Sequence, residues 1–188
     1  MLWDDFLNSL HHDWRGDGTA DDRLDNSEWL NQWVNAHRLI VDQSPSPEEL
    51  ESLKRLRSFL HRMVQAFVDH QSPSPEDLVA LNNIMGKGAV IRQLSSKDGS
   101  YELSYAPVER HWKQIEAEIA ASFARLLTEG EASRIRICDN PSCLWVYYDD
   151  TRNRSKRYCD DKMCGNLMKV RRFRARKKAE SGLPAEER

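Results

Sequence analysis

Apolar positions recur at helical spacing along most of the chain. Leu2, Phe6, Leu7 and Leu10 predict a first helix. His11 to Asn26, rich in Asp and Gly, reads as a loop. Ser27 then stands where it can cap a second helix, with Trp29, Leu30, Trp33, Val34 and Ile40 on its apolar side. The hexapeptide QSPSPE occurs at 43–48 and again at 71–76. Each copy carries a helix start. Ser46 caps, Pro47 suits the first helical position and Glu49 completes a capping box; Ser74, Pro75 and Asp77 repeat the arrangement. The first start leads into a stripe of Leu53, Leu56, Leu60, Met63, Val64 and Phe67, and the second into Leu78, Leu81 and Ile84.

The period changes to two between Gly86 and Pro107. Ala89-Val90-Ile91 and Tyr101 to Tyr105 read as strands, with Asp98-Gly99 as a tight hairpin turn. From Pro107 the period returns to helical, with Trp112, Ile115, Ile119, Phe123, Leu126 and Leu127 on one face and Gly130 to end it. The pattern predicts an α+β fold, mostly α. Residues 1–130 would form a helical domain with one β-hairpin, and residues 131–188 a second module, with the boundary near Gly130 to Ser133.

The second module changes the picture through its chemistry. All four cysteines of the chain lie there, as Cys138-x4-Cys143-x15-Cys159-x4-Cys164. Four thiolates at such spacing suit a tetrahedral Zn²⁺. Leu144 to Tyr148 reads as a strand, Asp149 to Ser155 as a polar turn, and Arg157-Tyr158 as the returning strand closed by Cys159. Cys164 would enter at the first turn of a last helix, with Trp145 and Tyr147 covering the site. A knuckle, a hairpin and a helix donating the last ligand make a treble-clef-like finger. Such a module has too few apolar residues to fold without its metal. The same cysteines could instead hold an iron–sulfur cluster, or act as a redox switch that releases zinc.

Charge separates the modules further. The net charge is -2, yet residues 1–130 hold 13 Lys+Arg against 21 Asp+Glu, and residues 131–188 hold 15 against 9. Arg152, Arg154, Lys156 and Arg157 lie near the expected hairpin turn. Lys169, Arg171, Arg172, Arg174, Arg176, Lys177 and Lys178 lie on the expected tail helix, which Met163, Leu167 and Val170 would seat on the hairpin. A basic helix beside a zinc module suits phosphate contact, so DNA is the expected partner. Trp29, Trp33 and Trp112 are candidates for an apolar effector pocket in the helical domain, or simply for its core.

Some classes are disfavoured. No apolar run approaches the length that spans a bilayer. The acidic start MLWDDFLNSL is unlike a secretory signal, so the chain is expected in the cytoplasm, where clustered cysteines favour metal over disulfides. No Ser-His-Asp arrangement, nucleophile elbow, phosphate loop or HExxH motif is present, and an enzyme is not expected.

These residues resemble a known family. Cys138-x4-Cys143, Arg157-Tyr158-Cys159, Cys164-Gly165-Asn166 and the Arg-rich tail resemble the CGNR-type zinc finger. SEWLNQWV at 27–34, the stretch 45–60 and LNNIM at 81–85 resemble the ABATE domain that usually precedes it. The resemblance implies a bacterial, stress-responsive transcription regulator with a DNA-binding finger. The fourth motif residue, usually Arg, is Leu167 here, which removes one expected phosphate contact or ion pair.

Overall fold

In the computed structural model, which describes residues 1–16 and 18–180, six α-helices and three two-stranded antiparallel sheets follow one another. Residues 181–188, the end of the expected second module, lie outside the described part.

Helix α1 (Leu2–Leu7) leads into a hairpin of β1 (Leu10–His12) and β2 (Ala20–Asp22). The segment read as a loop thus holds a hairpin, and the amino-terminal part has two hairpins rather than one. Its strands, Leu-His-His and Ala-Asp-Asp, carry no apolar alternation that could reveal them. A buried arginine from the later helix Pro47–Val68 holds them. Arg57 Nη1 donates to Asp22 Oδ1 at 2.7 Å and Nη2 to Oδ2 at 2.5 Å, and Nη1 also donates to Ser9 Oγ. Paired charges of this bidentate kind are the form in which burial is tolerated.

Helix α2 (Ser27–Ala36) begins one residue earlier than expected. Asn26 is the cap, accepting from the Trp29 N–H at 3.0 Å, and Ser27 is already helical. Ile40 lies past its end and is exposed. Helices α3 (Pro47–Val68) and α4 (Pro75–Met85) start at the two QSPSPE copies, each with a complete capping box. Strands β3 (Val90–Lys97) and β4 (Ser100–Pro107) pair over their full length. Asp98 and Gly99 both take positive φ, 51° and 80°, as the tight turn between them requires. Because β4 runs to Pro107, helix α5 (Trp112–Glu129) starts later than its sequence pattern suggests, capped by His111 Nδ1, which accepts from the Gln114 N–H. Gly130 ends it as expected.

The core lies between α1, α3 and α5, flanked by α2 and α4. Trp3, Phe6, Leu53, Leu60, Val64, Ile119 and Phe123 are fully enclosed. Trp3 and Phe123 meet edge-on at 5.6 Å. This core extends past residue 130. Ile135 on β5 (Ile135–Ile137) and Val146 on β6 (Val146–Tyr148) belong to it, both fully buried. Asn8 fixes the contact: its side chain donates to the Val146 carbonyl and accepts from the Val146 N–H, each at 2.8 Å.

The finger's hairpin differs from the expected one. Strand β6 pairs backward with β5 rather than forward with Arg157-Tyr158, so the hairpin brackets the first cysteine pair. Asp149 explains the difference. Fully buried, it accepts from the Thr151 N–H and hydroxyl and from the Lys156 N–H. The chain after β6 curls around this carboxylate instead of turning back as a strand. A backbone bond from the Asp139 N–H to the Arg157 carbonyl helps hold the second cysteine pair alongside the first. A single π-helical turn, Asp161–Gly165, precedes helix α6 (Asn166–Glu180).

Candidate metal centre and basic helix

Cys138 and Cys143 flank the tip of the β5–β6 hairpin. Between them Asn140 folds the chain, its carbonyl accepting from the Cys143 N–H at 2.9 Å. Leu144 follows in the left-handed region, φ 55°, which turns the chain into β6. Cys159 lies after the Asp149 turn, and Cys164 sits within the π-helical turn rather than in α6 itself. Asp160 caps that turn, accepting from the Met163 N–H at 2.7 Å.

These elements bring all four Sγ atoms within 4.8 Å of one another. Cys143 and Cys159 are 3.7 Å apart, and Cys159 and Cys164 are 3.9 Å apart. A tetrahedron with metal–sulfur bonds of about 2.3 Å has edges of about 3.8 Å, so the spacing fits one zinc ion. Sulfurs this close compete for negative charge. Cys138 is held down at about 2 by hydrogen bonds from the Cys143 and Cys159 thiols. Cys143 is pushed up to about 12 by its bond to Cys138, and Cys159 is pushed up for the same reason. A dication ends the competition by stabilising every thiolate at once.

The surroundings suit that role. The Cys159 N–H donates to Cys138 Sγ at 3.5 Å, and Asn140 Nδ2 donates to Cys164 Sγ at 3.3 Å. Tyr147 packs on the cluster and donates its hydroxyl to the Lys156 carbonyl at 2.8 Å; burial, then the Cys138 charge, raises its pKa. Trp145 covers a side, edge-on to His11.

The amino-terminal hairpin reaches the same site. Trp14 packs on the cysteine cluster, and its carbonyl accepts from Asn140 Nδ2 at 2.7 Å. Arg171 of α6 donates to the Arg15 carbonyl. Gly16, at φ 91°, comes so close that a Cβ there would meet Ser142 Oγ at 2.8 Å and the Arg171 guanidinium at 3.0 Å. Asn140 therefore bonds both a cysteine sulfur and the loop of the first hairpin. No spacing rule would have singled it out, because it is neither a ligand type nor a charged residue.

A model for ABATE, a putative stress-induced transcription regulator, matches residues 2–130, well over half of the chain. The chain belongs to the ABATE family. A CGNR zinc finger model matches residues 134–177, the segment that holds the four cysteines. The chain is thus an ABATE protein with a carboxy-terminal CGNR finger, and its cysteine cluster is a site for one structural zinc ion. Neither family is one of enzymes. Among curated proteins nothing matches the chain. No helix among the described residues is long and apolar enough to cross a membrane.

The basic residues of this ABATE protein differ in their contacts. Some have partners. Arg154 pairs with Glu131, and Arg157 Nε donates to Asp139 Oδ2 at 2.7 Å. Lys156 lies over the Tyr147 ring, Arg171 is bound to the Arg15 carbonyl, and Arg172 Nε reaches the Met168 carbonyl. Arg152, Lys169, Arg174, Arg176, Lys177 and Lys178 are exposed. The expected apolar seat of the helix is corrected. Met163 and Val170 are exposed, and Met168 is the residue that packs against the cysteine cluster. Beyond Arg171 every described side chain of α6 is exposed, Phe173 included, with Arg176 over its ring. Leu167 is half-buried.

The tryptophans are packed as core. Trp33 is buried between Phe6 and His37, with Trp29 stacked on it at 6.1 Å, and Trp112 is buried with its indole donating to the Gln43 carbonyl. Open space lies elsewhere. A cavity of about 360 Å³ is lined by His11, Trp14, Arg23, Trp145 and Met163 together with Cys143, Cys159 and Cys164.

Proposed function

We propose that this ABATE protein is a DNA-binding transcription regulator of the cytoplasm, in which Cys138, Cys143, Cys159 and Cys164 hold zinc and α6 meets the phosphate backbone. The observation that carries this reading is the exposure of α6. A helix rooted on a metal centre by Met168 and Arg171 presents Lys169, Arg172, Arg174, Arg176, Lys177 and Lys178 along a solvent-facing surface. A packed helix would bury an apolar stripe, and this one buries none. Arg152 extends the same charge onto the finger loop. Arg154 and Arg157, already paired with carboxylates, contribute less.

About six phosphate contacts imply an affinity that falls roughly 1,000-fold between 50 and 200 mM salt. Fluorescence anisotropy with duplex DNA measures that slope. Arg172→Ala or Arg174→Ala should weaken binding to every sequence alike and reduce the slope by about one. Binding that ignores salt, or no binding to any duplex, overturns the reading. Preference for an RNA or an acidic protein in direct competition supports the alternative, a zinc-finger interaction module.

For a small-molecule effector, the cavity beside the cysteine cluster is better placed than Trp29, Trp33 and Trp112. Its walls join the amino-terminal hairpin to the metal ligands. Thermal-shift screening of the zinc-loaded protein tests this. A hit whose shift survives Trp14→Ala would count against that cavity.

A further inference from the structure

The β3–β4 hairpin leaves an apolar face open to solvent. Residues directly opposite in an antiparallel pair share a face, and neighbours along a strand alternate. Val90, Arg92, Leu94 and Ser96 therefore share one face with Pro107, Tyr105, Leu103 and Tyr101. Gln93, Ser95, Glu102 and Ser104 lie on the other face, with Ile91 and Ala106. The half-buried positions, Ser104 and Ala106, are on this second, mostly polar face. The apolar face is open to solvent: Leu94 is 71% exposed, Tyr101 79% and Leu103 54%, with Val90 and Tyr105 also exposed. Both faces of the hairpin are largely exposed, so its apolar side chains stand in water with nothing packed on them. No third strand joins it among the described residues. A lone two-stranded hairpin is marginal in water unless something packs on its apolar face.

We propose that this face is covered by the same face of a second copy of the chain, giving a two-fold dimer held hairpin against hairpin. Three features select a second copy. Apart from Arg92 the face carries no charge, so a second copy meets an essentially uncharged surface. The Leu94–Leu103 pair occupies the middle of the register, where a two-fold axis would stack it on its own image. The exposed side chains of one face offer roughly 500 Å², so two copies reach the order of 1,000 Å² that a specific interface needs. The apolar groups stand on the face and not along the strand edges, so the hairpins stack rather than extend one sheet. The inference is independent of DNA binding and is tested without DNA.

Sedimentation equilibrium of the zinc-loaded full chain, over a wide concentration range, reads the result. The wild-type protein is expected to be a dimer. Leu94→Glu should raise its dissociation constant by about 100-fold or more, because it places a carboxylate in the middle of the apolar contact. Ser95→Glu, one position along on the polar face, should leave the dimer intact. Both variants should retain one zinc per chain and the helical circular dichroism of the wild type, which separates loss of dimer from loss of fold. A wild-type chain that stays monomeric at every concentration overturns the proposal. So does a dimer that Leu94→Glu does not weaken.

Discussion

Single residues decide the metal centre more than its cysteine count suggests. Asn140 is fully buried, and its one side-chain amide serves both Cys164 Sγ and the Trp14 carbonyl. Asn140→Ala should lower zinc affinity about 10- to 100-fold, as loss of a ligand's supporting hydrogen bond commonly does. Competition with a chelating dye measures it, and an unchanged affinity would show that the amide serves only the loop. Cys159→Ser is the harsher case. It should abolish stoichiometric zinc, read by metal analysis of the purified protein.

His61 belongs to the same scale and predicts a pH effect. Burial lowers its pKa below the usual 6.5, against a weaker opposing pull from the Leu7 carbonyl. A histidine whose pKa is depressed in the folded state adds stability that is fully present above pH 6.5 and is lost as pH falls through its folded value. Urea unfolding of wild type and His61→Gln should therefore differ less at pH 5.5 than at pH 7.5. Equal differences at the two values would show that His61 protonates alike in both states.

At the scale of elements, the capping boxes invite comparison. Ser46 accepts from the Glu49 N–H at 3.2 Å and starts the longest helix of the core; Ser74 accepts from the Asp77 N–H at 3.1 Å and starts a peripheral one. Either change to Ala should cost about 1 kcal/mol of helix stability. Ser46→Ala should appear in global unfolding. Ser74→Ala should appear mainly as faster hydrogen exchange along α4, where only Leu81 is buried. The two starts were legible because a cap acts through neighbours three residues away, and so were the stripe of α3 and the Asp98-Gly99 turn. The β1–β2 hairpin was not. Its order comes from Arg57, more than thirty positions from Asp22, and no local period records such a bond. The finger hairpin failed for a related reason. Composition marked Leu144 to Tyr148 as a strand, yet the choice of partner rested on Asp149 capturing the chain behind it. The cysteine spacing announced the metal site, but the residues that hold the site to the helical domain, Asn8, Trp14 and Asn140, carry no spacing signal.

At the scale of the whole molecule, those same contacts join the metal to the helical core. Ile135 and Val146 are fully buried in it, Asn8 bonds Val146 in both directions, and Trp14 and Arg15 are tied to the finger through Asn140 and Arg171. The ABATE and CGNR segments meet in sequence near residue 130, while packing runs across that point. Zinc binding stabilises whatever folds with it. If β5 and β6 keep their place only when the cysteines are held, removing the metal exposes Ile135 and Val146. Truncating one such side chain already costs about 2 to 5 kcal/mol. Chelation should therefore lower the melting temperature of α1, α3 and α5 together with that of the finger. Calorimetry should show one cooperative transition that moves as a unit when zinc is stripped. Ile135→Ala in the zinc-loaded protein should move the same single transition downward. Two transitions, with the helical one unmoved by chelation, would show that the core closes without the finger and that β5–β6 merely rests on it. Because Arg171 joins α6 to the first hairpin, the carboxy-terminal helix should move with that same transition.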